Sequence, residues 1–363
     1  MLRLEVRPEP SRVAGWLSPL LAAAATVVVG FILFTVLGKD AWLAFHAFFI
    51  KPLTTQYGVG ELLLKATPLM LIAVGLAAGY RANVWNIGAE GQLTMGAIFG
   101  GGVALYFQES TSPLLLAAML VAGVAGGMLW AAIPAFLRTR FNANEILTSL
   151  MLVYVATLTL SLLVHGAWRD PEGFNFPQSR MFGDAALLPI LMPDTRLNIG
   201  LPLALAVVAM AWLFMRRSLA GFQMRVAGLA PAAAIYAGIS SRRTIWLGML
   251  IGGACAGLAG VGEVAGPLGQ LLPSASPGYG FAAIIVAFVG RLHPLGIVLA
   301  SLLMSLLYLG GESAQINLAM PSAVTGLFQG TLLFFLLAAD VFIHYRLRAV
   351  RGPARDARLL DLH

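Results

Sequence analysis

Residues 81–102 read RANVWNIGAEGQLTMGAIFGGG. Two amides, Asn86 and Gln92, and one carboxylate, Glu90, lie in this run among apolar residues and glycines, and on a helix Asn86 and Glu90 would share one face. In a bilayer every polar group must find an internal partner or line a wet cavity, and an ionisable side chain within a span is by default a functional candidate. The stretch therefore predicts the start of a transport pathway. Hydrogen bonding that only fixes helix packing is the alternative interpretation.

The composition is that of an integral membrane protein. Of the 363 residues, 59% are hydrophobic and 11% are charged, against about 25% charged in an ordinary soluble domain. The net charge is +7, but the basic residues form short clusters between long apolar runs, a pattern that sets membrane topology rather than nucleic-acid binding. Cys255 is the single cysteine, which excludes an intrachain disulfide and a cysteine-based metal cluster.

Apolar runs of about 20 residues, the length needed to cross a bilayer, predict an all-α polytopic membrane protein of about ten helices. The runs lie near 16–37, 60–80, 86–107, 113–137, 145–165, 198–215, 244–264, 279–290, 295–311 and 321–343. The first is about twice as long as the apolar part of a signal peptide, so we interpret it as a membrane helix. The eighth is short and predicts a half-helix or a re-entrant segment.

The basic residues also predict the orientation of the chain. Most of the 23 lysines and arginines fall in segments that are cytoplasmic if the N-terminus is cytoplasmic. We therefore expect both termini inside and an even number of crossings. The predicted organisation is a cytoplasmic segment over 1–15, a transmembrane domain over 16–343 and a cytoplasmic tail over 344–363.

Two polar loops interrupt the apolar runs, an outer loop over 166–197 and an inner loop over 216–243. Within the inner loop, residues 230–238 predict a short helix that Pro231 starts and Gly238 stops. A short helix parallel to the membrane and exposed to the cytoplasm is a natural docking site for another protein.

The chain also has the order of elements expected of an internal duplication. Predicted helices two to five and seven to ten would run through the membrane in opposite directions, as in the inverted repeats of many transporters. Each set carries a glycine-rich segment, at 86–102 and at 278–296. The similarity between the two sets is faint, so a duplication and its absence are equally supported.

Polar side chains near the outer ends of two other helices form a second candidate set. Glu263 lies among glycines at the end of predicted helix seven, and Glu312 and Gln315 lie at the end of helix nine. They predict an outer gate or a surface that meets a solute-donating protein. Interfacial carboxylates that simply reach water are the alternative.

Two more carboxylates have plain local partners in the sequence. Glu61 and Lys65 are four residues apart and predict a local ion pair at an outer helix end. Asp340, near the inner end of helix ten, has Arg346 as its plainest partner.

Four aromatic residues are candidates for stacking on a planar ring: Trp85, Tyr279, Phe281 and Phe288. Aromatic belts at membrane interfaces are enriched in the same residue types, which is the alternative interpretation.

Motifs of enzymes do not occur in the sequence. There is no nucleophile elbow, no zinc-protease helix and no P-loop, and the histidines lack metal-ligand spacing. We therefore predict neither catalytic residues nor a metal or cofactor, and any ATP hydrolysis must occur in another chain.

Five motifs occur in order along the chain: NIGAEGQ at 86–92, NEILTSLML at 144–152, AGLAPAAAIYAGI at 227–239, AGLAGVGEV at 256–264 and GYGFAAIIVAFVGRLHPLG at 278–296. In these motifs the chain resembles the permease subunits of bacterial ABC importers in the branched-chain amino acid and simple-sugar permease superfamily. The most similar type is the nucleoside permease that works with a basic-membrane-protein-type binding protein.

This resemblance implies an all-helical subunit of about ten spans in a bacterial inner membrane, with two permeases forming one pathway. It implies that 227–239 is a coupling helix seated in a groove of a separate ATPase, and that a periplasmic or lipid-anchored binding protein delivers the solute. The pathway residues that we predict, from the polar run and the aromatic candidates, are Asn86, Glu90, Gln92, Tyr279 and Phe281. The coupling residues that the resemblance implies are Arg225, Gly228, Ala232, Ala233, Tyr236 and Gly238.

The chain departs from the family pattern at two places. Val153 stands where relatives usually carry Asn, so an amide is missing from predicted helix five. Ala230, Ala232 and Ile235 stand where relatives carry Asn, Glu and Arg, which makes the coupling helix unusually apolar. We expect its contacts with the ATPase to be mainly hydrophobic.

The resulting hypothesis is a permease subunit of an ATP-driven importer for nucleosides or a related ribosyl or heterocyclic solute, working by alternating access. Import of simple sugars or riboflavin is the alternative within the class. A second, different permease is the expected partner, with a homodimer open. The alternative from another class is a secondary transporter coupled to protons through Glu90, Glu263 or Glu312.

Overall fold

The computed structural model of the chain describes residues 2–6 and 12–349, with continuous side-chain environments over 20–339. The described chain is helical apart from two short strands, β1 (Leu2–Val6) and β2 (Tyr345–Ala349). The strands pair antiparallel, with Leu2 opposite Ala349, a pairing that the sequence did not predict. The side chain of Asp340 and its expected pair with Arg346 lie outside the described side chains.

Thirteen α-helices occur in the described residues. They are α1 (Arg12–Val36), α2 (Ala41–Phe45), α3 (Gln56–Arg81), α4 (Ala89–Tyr106), α5 (Leu114–Phe141), α6 (Glu145–His165), α7 (Gly200–Arg217), α8 (Leu219–Leu229), α9 (Pro231–Tyr236), α10 (Ser241–Glu263), α11 (Tyr279–Val289), α12 (Pro294–Leu318) and α13 (Ala323–His344). Single turns of π-helix follow α2 and α10, at His46–Ile50 and Val264–Leu268. Lys51–Leu53 and Asp184–Ala186 are 3₁₀ turns.

The predicted all-α membrane fold is confirmed. Six helices of the described chain are long and apolar enough to cross a bilayer: α3, α5, α6, α7, α10 with its π turn, and α12. Each of the ten apolar runs overlaps a helix, and the short eighth run is the 11-residue α11. The total of ten crossings and the inverted repeat remain predictions.

The described residues form two compact units. One combines the chain up to Leu43 with the chain from Gly326 onward, and the other comprises Ala44–Thr325. In the first unit, α1 packs closely on α13: the ring centroids of Phe34 and Phe328 lie 5.7 Å apart. The second unit contains every predicted pathway and coupling residue.

At the centre of the second unit, glycines allow α4, α5 and α10 to pack with their backbones almost in contact. Gly96 of α4 and Gly123 of α5 both face Gly257 of α10. A Cβ atom at Gly96 or Gly257 would overlap backbone of a neighbouring helix, and one at Gly123 would overlap the Val261 side chain. Membrane helices use such small residues because van der Waals packing, not water exclusion, holds them together. The motif-bearing start of α4 is therefore enclosed by other helices.

Local chemistry explains several helix ends in this unit. Thr55 caps α3 by accepting the Gly58 amide at 3.0 Å, and Asn144 caps α6 by accepting the Ile146 amide at 2.9 Å. Pro231 occupies the first turn of α9, and Gly238 follows its end with φ +74°. The predicted short helix in the inner loop is thereby confirmed.

The helical segment Ala41–Leu53 has no counterpart among the predicted helices. It changes from α to π to 3₁₀ geometry within 13 residues. Its π turn packs on α12, where the Ser313 hydroxyl donates to the Ala47 carbonyl at 2.8 Å. The segment is shorter than a membrane span, it contains Lys51, and Lys39 and Asp40 directly precede it. Its sequence therefore does not predict a membrane helix.

Candidate solute pathway and coupling surface

Asn86 lies in the turn before α4 and not on the helix. Its side-chain oxygen accepts the Gly88 amide at 3.0 Å, a local bond that favours a turn over a helix. Because α4 begins at Ala89, the prediction that Asn86 and Glu90 share a helix face is wrong.

The two buried amides of the motif bind each other. Asn86 Nδ2 donates to Gln92 Oε1 at 2.9 Å, and Gln92 Nε2 donates to Asn86 Oδ1 at 3.0 Å. The Tyr80 hydroxyl donates to the Asn86 carbonyl at 3.0 Å, and a Cβ at Gly252 would lie 2.9 Å from Asn86 Nδ2. The pair therefore holds the α3–α4 turn against α10. Its role in the pathway remains a prediction.

Glu90 connects α4 to the start of α11. Its Oε2 accepts the Gly280 amide at 2.6 Å, and the Ser276 hydroxyl and the Gly278 amide also interact with this carboxylate. A helix N-terminus carries partial positive charge and unpaired amides, so a buried carboxylate is well placed there. Gly280 permits the approach, because a Cβ at that position would overlap the backbone of Glu90.

Ser276 completes the cap of α11. Its hydroxyl oxygen accepts the amides of Gly278 and Tyr279 at 3.1 and 2.9 Å. Gly278 has φ +96°, a left-handed conformation that favours glycine. With 11 residues α11 is about 16 Å long, roughly half of the hydrocarbon thickness of a bilayer.

Of the four predicted aromatic residues, Trp85 and Phe288 contact each other. Phe288 stacks on Tyr80 and on Trp85, with centroid distances of 5.4 and 5.9 Å. Tyr279 is buried and meets Tyr308 edge to face at 5.4 Å. Phe281 is 41% exposed, so it is the most exposed member of the predicted set.

The prediction that Glu61 pairs with Lys65 is wrong, because both residues bind partners far away in the sequence. Arg196 donates to the two oxygens of Glu61, from Nη2 at 2.6 Å and from Nε at 2.8 Å. Lys65 Nζ lies 2.9 Å from Glu312 Oε1. The hydrogen bonds that Arg196 donates to Glu61 raise the pKa of the Arg196 guanidinium, so the guanidinium stays positively charged.

Glu263 and Glu312 differ in their surroundings. Glu312 is half exposed at the end of α12, as an interfacial carboxylate would be. Glu263 is buried and lines a cavity of about 20 Å³ with Thr67 and Asn198, among otherwise apolar residues. Such a volume is enough for one water molecule.

The outer loop is bound to the segment that leads into α11. The Ser179 amide donates to the Leu271 carbonyl at 2.9 Å, and the Leu271 amide donates to the Ser179 hydroxyl at 2.9 Å. The Leu188 amide donates to the Ala265 carbonyl at 2.8 Å. Sequence reasoning missed this connection, since backbone hydrogen bonds between distant loops leave no local pattern.

The predicted coupling residues separate into an exposed and a packed group. On α9, Tyr236 is 97% exposed and Ile235 67% exposed, and Ala232 and Ala233 are exposed beside them. Ala234 is buried against the rest of the chain.

The packed group lies on α8. Arg225 is partly buried there, close enough to Arg81 of α3 to repel it electrostatically. A Cβ at Gly228 would overlap the Arg81 carbonyl. Gly228 is therefore a contact between α8 and the end of α3, whereas the predicted coupling residues on α9 are exposed.

Within the described residues, no group of three histidine, cysteine or acidic side chains is arranged to hold a metal ion. Cys255 is buried in α10.

Comparison with known proteins identifies the family of this chain. Residues 58–337 match the family described as branched-chain amino acid transport system / permease component. The chain is 37% identical to the glucose ABC transporter permease protein TsgB13 of Haloferax volcanii, over 98% of this chain and 96% of the relative. It is 30% identical to the guanosine ABC transporter permease protein NupP of Bacillus subtilis, over 95% and 98%. It is also 30% identical to the nucleoside ABC transporter permease protein NupB of Lactococcus lactis, over 88% and 90%.

The chain belongs to this family of ABC transporter permease components, and it is a multi-pass membrane subunit of an ABC importer.

Proposed function

We propose that this subunit imports nucleosides, or a related ribosyl or heterocyclic solute, using ATP hydrolysed by a separate ATPase. The observation that supports coupling to an ATPase is the exposed apolar surface of α9. Tyr236 and Ile235 project from a helix of six residues whose opposite side, at Ala234, is buried. Large exposed apolar side chains on a fixed support are typical of a protein-binding surface.

The coupling path runs from α9 into the helix core. A Cβ at Gly228 would overlap the backbone of Arg81, so movement of α8 and α9 acts on the inner end of α3. α10 follows α9 after four residues and packs on α3, α4 and α5. We infer that closure of the ATPase shifts these helices and opens the pathway on one side at a time.

Nucleosides are the first candidate solutes because two relatives that match most of the chain are named as guanosine and nucleoside permeases. Glucose or another simple sugar is the second candidate, favoured by the 37% identity to a glucose permease. Both classes are neutral and rich in hydroxyl groups. Riboflavin, which combines a ribityl chain with a heterocycle, completes the set to be tested.

The assembly we infer contains the ATPase, a second permease and a solute-binding protein on the outer side. The second permease is expected to be a different chain, with a homodimer as the alternative. From the distribution of basic residues, we infer that both termini lie on the cytoplasmic side of the inner membrane. The organisation into segments 1–15, 16–343 and 344–363 is part of this proposal.

The pathway residues we propose are Glu90, Phe281 and the helix start that Glu90 holds. The proton-coupled alternative assigned protons to Glu90, Glu263 or Glu312. Family membership replaces that alternative with ATP-driven import. Glu90 binds the start of α11, and Glu312 binds Lys65.

The test is uptake of labelled guanosine, adenosine and uridine by cells with and without the gene. Excess glucose, ribose, riboflavin or branched-chain amino acids serve as competitors. We expect gene-dependent nucleoside uptake that resists these competitors and disappears when the P-loop lysine of the partner ATPase is replaced. Uptake of glucose or riboflavin in place of nucleosides would overturn the substrate assignment alone. Uptake that survives loss of the ATPase would overturn the coupling.

A further inference from the structure

One flank of α6 exposes polar side chains along a membrane-spanning helix. Tyr154 is 62% exposed, Thr157 and His165 are exposed, and Ser161 is partly exposed. Spacings of three and four residues place these side chains in one row along the helix. We call this row the α6 polar stripe (Tyr154, Thr157, Ser161 and His165).

Tyr154 lies near the middle of the membrane. It is nine residues beyond Glu145, so about 14 Å from the start of a helix that crosses about 30 Å of hydrocarbon. The Tyr154 hydroxyl has no hydrogen-bond partner among the described residues. A hydroxyl without a partner is costly in lipid, because it loses the hydrogen bonds that it makes to water and the hydrocarbon offers none in exchange. The position therefore points to water, solute or a polar neighbour.

The other stripe residues have local partners. The Thr157 hydroxyl donates to the Val153 carbonyl at 3.0 Å, and His165 Nδ1 lies 2.8 Å from the Ser161 carbonyl oxygen. Such bonds make serine and threonine tolerable even against lipid. Tyr154 is consequently the residue whose exposure needs an explanation.

Neighbouring exposed surfaces have the composition expected against lipid. On α5, Val121 is 70% exposed, Leu129 59% and Phe136 46%. On α6 itself, Leu158 is 69% exposed and Leu162 73%, and Leu158 lies beside the polar row, four residues after Tyr154. The exposed residues of α6 outside the polar row are apolar.

We infer that the α6 polar stripe lines a water-filled part of the solute pathway and that Tyr154 determines specificity by contacting the solute. This inference rests on the proposed import function and adds the surface and the residue that contact the solute. A phenol, a threonine, a serine and an imidazole offer donors, acceptors and aromatic faces, with no carboxylate, ammonium or guanidinium group among them. The row fits an uncharged solute with several hydroxyl groups, such as a nucleoside or a sugar, and lacks the cation that a phosphorylated solute would need.

Water access is measured by cysteine labelling of the full importer in membranes. Cys255→Ala removes the native thiol, which is buried. Single cysteines are then placed at Thr157 and Ser161, with Val121→Cys and Leu129→Cys on α5 as matched controls, and a charged methanethiosulfonate reagent is added. Because the thiolate is the reactive form, we expect the stripe cysteines to react at least about tenfold faster than the controls. Reaction as slow as that of the controls would overturn the inference.

Contact with the solute is measured by uptake kinetics. We expect Tyr154→Phe to raise the KM for uptake about tenfold, the effect of one lost hydrogen bond, while the amount of importer in the membrane stays normal. Tyr106→Phe is the control, since Tyr106 is 82% exposed at the outer end of α4. An unchanged KM for Tyr154→Phe would contradict the specificity role.

These readouts separate the inference from the proposed function. Labelling of the stripe does not depend on which solute is carried. If glucose replaces guanosine as the transported solute, the substrate assignment fails while rapid labelling of the stripe still supports the inference. If guanosine is imported and the stripe cysteines stay unlabelled, the inference fails and the function stands.

Discussion

Residues 86–92 and helix α9 both carry motifs that resemble those of the permease family, but they present opposite surfaces. Asn86 and Gln92 are 2% and 1% exposed and bind each other. Tyr236 of α9 is 97% exposed and Ile235 67%. The buried motif therefore acts within the subunit, by fixing where helices start, whereas the exposed motif has the free side chains that the proposed coupling to a partner requires.

This comparison predicts effects on stability that decrease from the helix core to α9. Four substitutions, Gly260→Val, Glu90→Ala, Arg196→Ala and Tyr236→Ala, are compared by the shift of the thermal unfolding midpoint of the purified subunit in detergent. We expect the size of the shift to fall in that order.

Gly260→Val is expected to have the largest effect, a loss of about 3 kcal/mol of unfolding free energy. A side chain at Gly260 would overlap the Leu93 carbonyl oxygen of α4, and backbone cannot move aside as a side chain can. Gly262→Val is the matched control two residues away, because nothing lies within 4 Å of its added Cβ atom. Equal midpoints for the two variants would contradict the close packing of α4 on α10.

Glu90→Ala is expected to cost about 2 kcal/mol, since it leaves the Gly280 amide buried without an acceptor. Glu90→Gln keeps an acceptor oxygen and should cost about half as much. If both variants unfold at the wild-type temperature, Glu90 does not hold the start of α11.

Arg196→Ala is expected to cost about 1.5 kcal/mol, because Glu61 is 3% exposed and would lose its counter-charge. The effect is smaller than for a fully buried pair, as the Arg196 side chain is itself 51% exposed. Combining Arg196→Ala with Glu61→Gln should restore part of the stability by removing the buried charge. A double variant that is less stable than the single one would argue against this explanation.

Tyr236→Ala is expected to change the unfolding free energy by less than about 0.5 kcal/mol, because an exposed side chain contributes little to the isolated subunit. A large loss of stability would place Tyr236 in the packed core and remove the distinction between the two motifs.

The long helices could be predicted from the sequence because continuous apolar runs leave no other structure for the chain in a bilayer. The short helix α9 could also be predicted, since Pro231 and Gly238 mark its ends. The segment Ala41–Leu53 could not, because it changes helix type within a few residues and gains its order from packing on α12.

The candidate site was predicted less well than the fold. Spacing predicted that Asn86 and Glu90 would share a helix face and that Glu61 would pair with Lys65. In the structure, each of these four residues binds a different partner. Arg196 is 135 residues from Glu61, and no local pattern encodes such a contact. Burial likewise depends on tertiary packing, so the sequence placed Gly228 and Tyr236 in one coupling set although only Tyr236 is free.

We propose that α9 transmits the action of an ATPase to the helix core of the subunit. The most direct measurement is the initial rate of guanosine and glucose uptake by the complete importer carrying Tyr236→Ala, with Tyr106→Ala as a control at another exposed tyrosine, since Tyr106 is 82% exposed. We expect Tyr236→Ala to abolish uptake and to weaken co-purification of the ATPase while the subunit remains folded at wild-type levels. Uptake and ATPase binding at wild-type levels in this variant would contradict it.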